Sequence, residues 1–63
     1  MWIILPDKSI KNISSSAPIE EILLELGLNP ASFIVVKNGS VVPEDVSAGE
    51  DDEIKLITIS HGG

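Results

Sequence analysis

The 63-residue chain contains no cysteine and no arginine. Without thiols there can be no disulfide, no thiolate metal site and no cysteine nucleophile. The fold must then rest on regular packing alone. Basic residues are scarce: four Lys stand against ten Asp and Glu, a formal net charge of −6. Phosphate binding needs clustered Lys and Arg, so nucleic acid is not expected as a direct partner. An acidic surface instead favours solubility and association with a basic protein surface. Long apolar runs are missing too. The stretch Trp2 to Leu5 is far too short for a signal peptide or a membrane span, and a cytoplasmic protein without membrane contact is expected. A chain this small buries only about 60% of the surface that its unfolded form exposes. A deep cavity would compete with the core, so no bound cofactor and no roomy active site are expected.

What is present is the composition of one folded domain. Apolar residues make up 43%, with Ile, Val and Leu dominant. Trp2 to Leu5 reads as a strand, Pro6-Asp7-Lys8 supplies turn chemistry, and Ser9 to Ile13 reads as a second, weaker strand, completing a hairpin. After the polar linker Ser14 to Ser16 a helix is predicted. Pro18 suits its first turn, and Glu20 and Glu21 lie near the positive end of its dipole. Ile19, Ile22, Leu23 and Leu26 form one apolar stripe. Gly27 is the natural left-handed stop, with Leu28 folding back on Leu23. Phe33 to Lys37 reads as a β-branched strand, Asn38-Gly39 as a tight hairpin turn, and Ser40 to Val42 as the return before Pro43. Glu44 to Asp52 reads as an acidic loop and Glu53 to Ile59 as the last strand. The domain is expected to span residues 1–59, followed by a tail at 60–63.

Alternation assigns the faces. In the last strand Glu53 and Lys55 alternate with Ile54 and Leu56, which places Ile54, Leu56 and Thr58 toward the helix and Ile57 and Ile59 outward. Taking Lys37 as an outward marker turns Val35 and Phe33 outward and leaves Ile34 and Val36 inside. With Met1, Ile3 and Leu5 inside, Trp2 and Ile4 face solvent. One helix covers only one face of a sheet, so Trp2, Ile4, Val35, Ile57 and Ile59 are expected to form an exposed apolar patch that binds partners.

Three segments together resemble a known group: Glu25-Leu26-Gly27-Leu28-Asn29-Pro30, the run from Ile34 to Pro43 with its Asn38-Gly39 turn, and the ending Gly62-Gly63. They look like the ThiS/MoaD group of ubiquitin-like sulfur carriers, and the Val42 to Asp45 run is similar to one in small archaeal ubiquitin-like modifiers. The resemblance spans essentially the whole chain in element order and length, which is nearer to ThiS than to MoaD. It implies an α+β fold, the ubiquitin-like β-grasp, with a mixed sheet of order 2-1-5-3-4 on one helix. The sequence departs from the group's pattern before the last strand, where Gly49 is followed by Glu50 rather than Asp.

The resemblance also implies a function. In the group an E1-like adenylating enzyme uses ATP to activate the terminal glycine carboxylate. A sulfur donor protein then displaces AMP to leave a thiocarboxylate, which a sulfur-accepting synthase or thiolase consumes, as in thiamine thiazole synthesis, tRNA thiolation or molybdopterin assembly. Transferred here, Gly63 carries the activated group and Gly62 keeps the tail thin enough to thread a narrow channel. Ser60 and His61 extend its reach. Such a protein is a co-substrate rather than an enzyme, and the free form is expected to be monomeric. Two other readings stay open: a modifier joined to lysines through Gly63, and a β-grasp binding module with an inert terminus. His61 reads as a solvated tail residue or as a proton-steering contact beside the reactive end. Glu44, Asp45, Glu50, Asp51 and Asp52 match no EF-hand spacing, so no metal site is expected there. Ser14, Ser15 and Ser16 have no nearby base to make a nucleophile.

Overall fold

The computed structural model describes residues 1–59. Its elements are strands β1 (Trp2–Ile4), β2 (Ile10–Asn12) and β3 (Ala17–Pro18), helix α1 (Ile19–Glu25), a 3-10 turn (Pro30–Ser32), and strands β4 (Phe33–Lys37), β5 (Ser40–Val42), β6 (Ser47–Ala48) and β7 (Glu53–Thr58).

Five strands form one mixed sheet in the order β2-β1-β7-β4-β5. β1 and β7 run parallel at its centre, and the other pairs are antiparallel. With α1 on one face this is the β-grasp. The strands β7, β4 and β5 stand where the expected fifth, third and fourth strands belong. The detail that differs is a separate two-stranded ladder of β3 and β6. It pairs Ala17 with Ala48 and Pro18 with Ser47. The segment read as an acidic loop therefore contains a strand, and it contributes the buried Ala48 to the core.

Turn chemistry explains the hairpins. At Asn38 and Gly39 both φ angles are positive, 50° and 85°. That is the two-residue turn whose twist matches the flanking strands, and it sets Lys37 opposite Ser40. Between β1 and β2 the chain turns at Pro6 and Asp7 and needs a left-handed residue at Lys8, whose φ is 73°. The Asp7 Oδ1 atom steadies this turn by accepting from the Ser9 N–H (3.0 Å) and the Ser9 hydroxyl (2.6 Å).

Helix α1 has only seven residues, too few to persist alone. Its stability comes from burying Ile19, Ile22 and Leu23. The helix starts after Pro18 rather than including it. Pro18 is the cap residue with ψ of 137°, and no side chain caps the end. Instead the N–H groups of Ile19 and Glu20 donate to the carbonyls of Val46 (3.0 Å) and Glu44 (2.9 Å). At the other end Gly27 takes φ of 79°. The Leu28 N–H then reaches the Leu23 carbonyl (2.8 Å) and the Gly27 N–H the Leu24 carbonyl (3.0 Å), the Schellman pattern.

The core comprises Met1, Ile3, Ile19, Ile22, Leu23, Val35, Ala48, Ile54 and Leu56. Full burial of each large aliphatic among them contributes about 1.5–3 kcal/mol. Among the described residues no polar or charged side chain is buried. No described helix is long and apolar enough to cross a membrane.

Candidate partner-binding face and carrier tail

Register places the outward side chains. Across the outer face one row runs Ile10, Ile4, Lys55, Val36 and Val41, each opposite the next on neighbouring strands. A second row sets Ile57 opposite Ile34, and a third sets Trp2 between Asn12 and Glu53. Directly opposed residues lie close enough for side-chain contact. Trp2, Ile34 and Ile57 remain 36%, 40% and 43% exposed, and Ile10 and Val41 more than 60%. Ile4 and Ile59 are half-buried. This is an apolar face that α1 does not cover.

One member of the expected patch is misplaced. Val35 is 2% exposed and lies in the core opposite Leu56, while Ile34 faces outward with Val36. The phase of β4 is thus the reverse of the one expected, and Phe33 turns inward to pack on the core. The cause is Lys37. Its stem runs along the inner side at the sheet's end, and its ammonium escapes to the rim. There Nζ donates to the Ser47 carbonyl (3.1 Å) and lies 3.9 Å from Asp52 Oδ2. A lysine at a strand end can satisfy its charge from either face, so it does not fix the phase. Ile34, Val36, Val41 and Ile10 are the face residues that sequence reasoning missed. Trp2, Ile4 and Ile57 lie on the face, and Ile59 follows β7 half-buried.

The start of β7 is held by a polar clasp. Asn38 donates its side-chain N–H to Asp52 Oδ1 (2.9 Å), and its Oδ1 accepts from the Glu53 N–H (2.9 Å). Asp52 Oδ2 accepts from the Gly49 N–H (2.7 Å). The Gly49 N–H, then the Asn38 amide and the Lys37 charge, hold the Asp52 carboxyl below its ordinary value of 3.8. Asp7 is lowered likewise, first by the Ser9 hydroxyl and then by the Ser9 N–H. Both are satisfied structural carboxylates. Among the described residues no group of three His, Cys, Asp or Glu could hold a metal ion.

Gly62, Gly63, Ser60 and His61, the residues assigned to carriage and to the tail, lie outside the described residues. The described chain leads up to them along β7 and Ile59, whose N–H donates to the Ser32 carbonyl (3.0 Å).

No family model matches the chain. Compared with curated proteins, it is 27% identical over 59 residues to "Sulfur carrier protein TtuB" of Thermus thermophilus, spanning 94% of this chain and 91% of that protein. It is also 42% identical over 43 residues to an uncharacterized protein of Archaeoglobus fulgidus, covering 68% of this chain and 63% of that one. A β-grasp that aligns with a sulfur carrier over nearly the full length of both chains supports the ubiquitin-like sulfur carriers of the ThiS/MoaD type as the family of this protein.

Proposed function

We propose that this protein is a ubiquitin-like sulfur carrier, a carried co-substrate rather than an enzyme, and that the carboxyl of Gly63 is the group that carries sulfur. The observation that carries the reading is the near-full-length likeness to a sulfur carrier, on a chain whose fold is the β-grasp. A carboxylate is a poor electrophile. An E1-like enzyme would join it to the AMP part of ATP and release pyrophosphate. Hydrosulfide released by a donor would then attack the acyl carbon and expel AMP, leaving a thiocarboxylate. The chain has no cysteine, so it cannot carry sulfur as a persulfide. The outer face, with Trp2, Ile4, Ile34, Ile57 and Ile59, is the docking surface in this reading. Sulfur destined for tRNA thiolation or for a thiazole would leave by the same route.

The test is intact mass after incubation with the cognate activating enzyme, ATP and a sulfur donor. The expected result is the increment of one oxygen-for-sulfur exchange, lost on deleting Gly63. Attachment to lysine side chains through Gly63 would instead make the protein a modifier. No change of any kind, with full pathway activity from the Gly63 deletion, would leave only a binding module.

A further inference from the structure

β7 is paired along its whole length on one side only. Toward β4 its ladder runs from Ile54 to Thr58, but toward β1 it stops at Lys55 opposite Ile4. The hydrogen bonds show which backbone groups face the vacated side. Glu53 and Ile59 direct their groups to the β4 side, at Asn38 and Ser32, whereas Asp52 accepts from the Trp2 N–H (3.1 Å) on the β1 side. Backbone groups alternate along a strand, so Leu56 and Thr58 also face β1. The next donor along β1 would be residue 6. That residue is Pro6, which has no N–H, and the chain there turns back, with the Lys8 N–H on the Leu5 carbonyl (2.8 Å). The ladder from β1 therefore gives the Leu56 carbonyl and the Thr58 backbone no partner.

This open edge lines a surface groove with Ile4, Pro6, Lys8, Lys55, Ile57 and Thr58. Its charge runs against that of the molecule. In a protein of net charge −6, two lysines border the groove, and Glu53 is its one acidic lining residue. Among the described residues the single ion pair is Lys37 with Asp52, and neither Lys8 nor Lys55 pairs with a described carboxylate.

We propose that the β7 edge at Leu56–Thr58 accepts a short extended segment of a partner protein as an added strand, with an apolar residue flanked two positions away on each side by an acidic one, so that all three share the outer face. Its main chain pairs with the Leu56 carbonyl and the Thr58 N–H, its apolar side chain rests on Ile4 and Ile57, and its carboxylates meet Lys8 and Lys55. The inference deepens the sulfur-carrier reading by giving its partner a chemistry. The added strand would lie directly before residues 60–63 and would orient them toward the partner's active site.

The test is titration of the 15N-labelled full chain with the blocked peptide Glu-Thr-Val-Thr-Glu, beside Lys-Thr-Val-Thr-Lys as its charge-reversed control. Shifts confined to residues 5–9 and 55–59, led by the Thr58 amide and given by the acidic peptide alone, are expected. The double variant K8E/K55E should weaken them by roughly tenfold or more. Equal response to both peptides, shifts centred on Ile34 and Val41, or no response would each overturn the proposal. Sulfur gain by the wild-type protein without peptide binding would sink the added strand and leave the carrier. Peptide binding at the groove without sulfur gain would do the reverse.

Discussion

Asn38 and Glu53 grip each other twice: the Asn38 N–H donates to the Glu53 carbonyl and the Glu53 N–H to Asn38 Oδ1, both at 2.9 Å. One residue thereby closes the β4–β5 turn and fixes where β7 begins. Asn is suited to both tasks, because it tolerates the left-handed backbone and carries an acceptor beside a donor. Asn38→Gly keeps the backbone fit and loses only the side-chain bonds, so it should cost about 1 kcal/mol. Asn38→Ala adds the left-handed penalty and should cost about 2 kcal/mol. Urea unfolding of the two variants checks the order. Equal stability of the wild type and Asn38→Gly would mean that the clasp adds nothing.

Asp52 makes part of this clasp pH-dependent. Its carboxyl titrates below 3.8 in the folded protein because the Gly49 N–H, the Asn38 amide and the Lys37 charge favour the ionised form. A depressed folded pKa contributes stability that is present above the unfolded pKa and is lost as pH falls through the folded one. Stability measured against pH should therefore show the wild type ahead of Asp52→Asn near neutrality. The gap should narrow as pH drops below 3.8. The carboxylate is partly solvated, so the increment is small, and a gap that widens in acid would contradict the assignment.

Much of this architecture is written in local chemistry. Gly27 stops the helix, Asn38-Gly39 makes the turn, and Glu53 to Leu56 alternates cleanly, so each could be read from a few neighbouring residues. Distant partners could not be read. The amides that open α1 are capped by the carbonyls of Glu44 and Val46, and β3 meets β6 through two residues on each side. The phase of β4 was hidden because Phe33 to Val36 is apolar without interruption, and the charge that follows can snorkel. Half of the outer face was therefore legible and half was not. The carrier assignment of Gly62 and Gly63 rests on resemblance, since those residues lie outside the described chain.

Gly27 provides a test of backbone conformation free of packing. A Cβ added there meets no atom within 4 Å, yet φ is 79°. Gly27→Ala should therefore cost about 1–2 kcal/mol through the left-handed penalty alone. Gly27→Asn should recover part of that. Thermal or urea unfolding of the pair separates strain from crowding, because a crowded site would tolerate Asn worse than Ala.

The reversed phase of β4 makes adjacent residues behave oppositely. Val35 is in the core opposite Leu56, and Val35→Ala removes two buried methylene equivalents and leaves a small void, at roughly 2 kcal/mol. Its neighbour Ile34 stands on the outer face opposite Ile57. Ile34→Asp and Ile57→Asp should change stability far less, since both side chains already meet water. If the face docks the activating enzyme, these two variants should raise the KM for the carrier in the adenylation assay and leave its melting temperature close to that of the wild type. Val35→Ala should do the opposite. An unchanged KM in both Asp variants, with the fold intact, would remove Ile34 and Ile57 from the docking surface and count against the groove that shares Ile57.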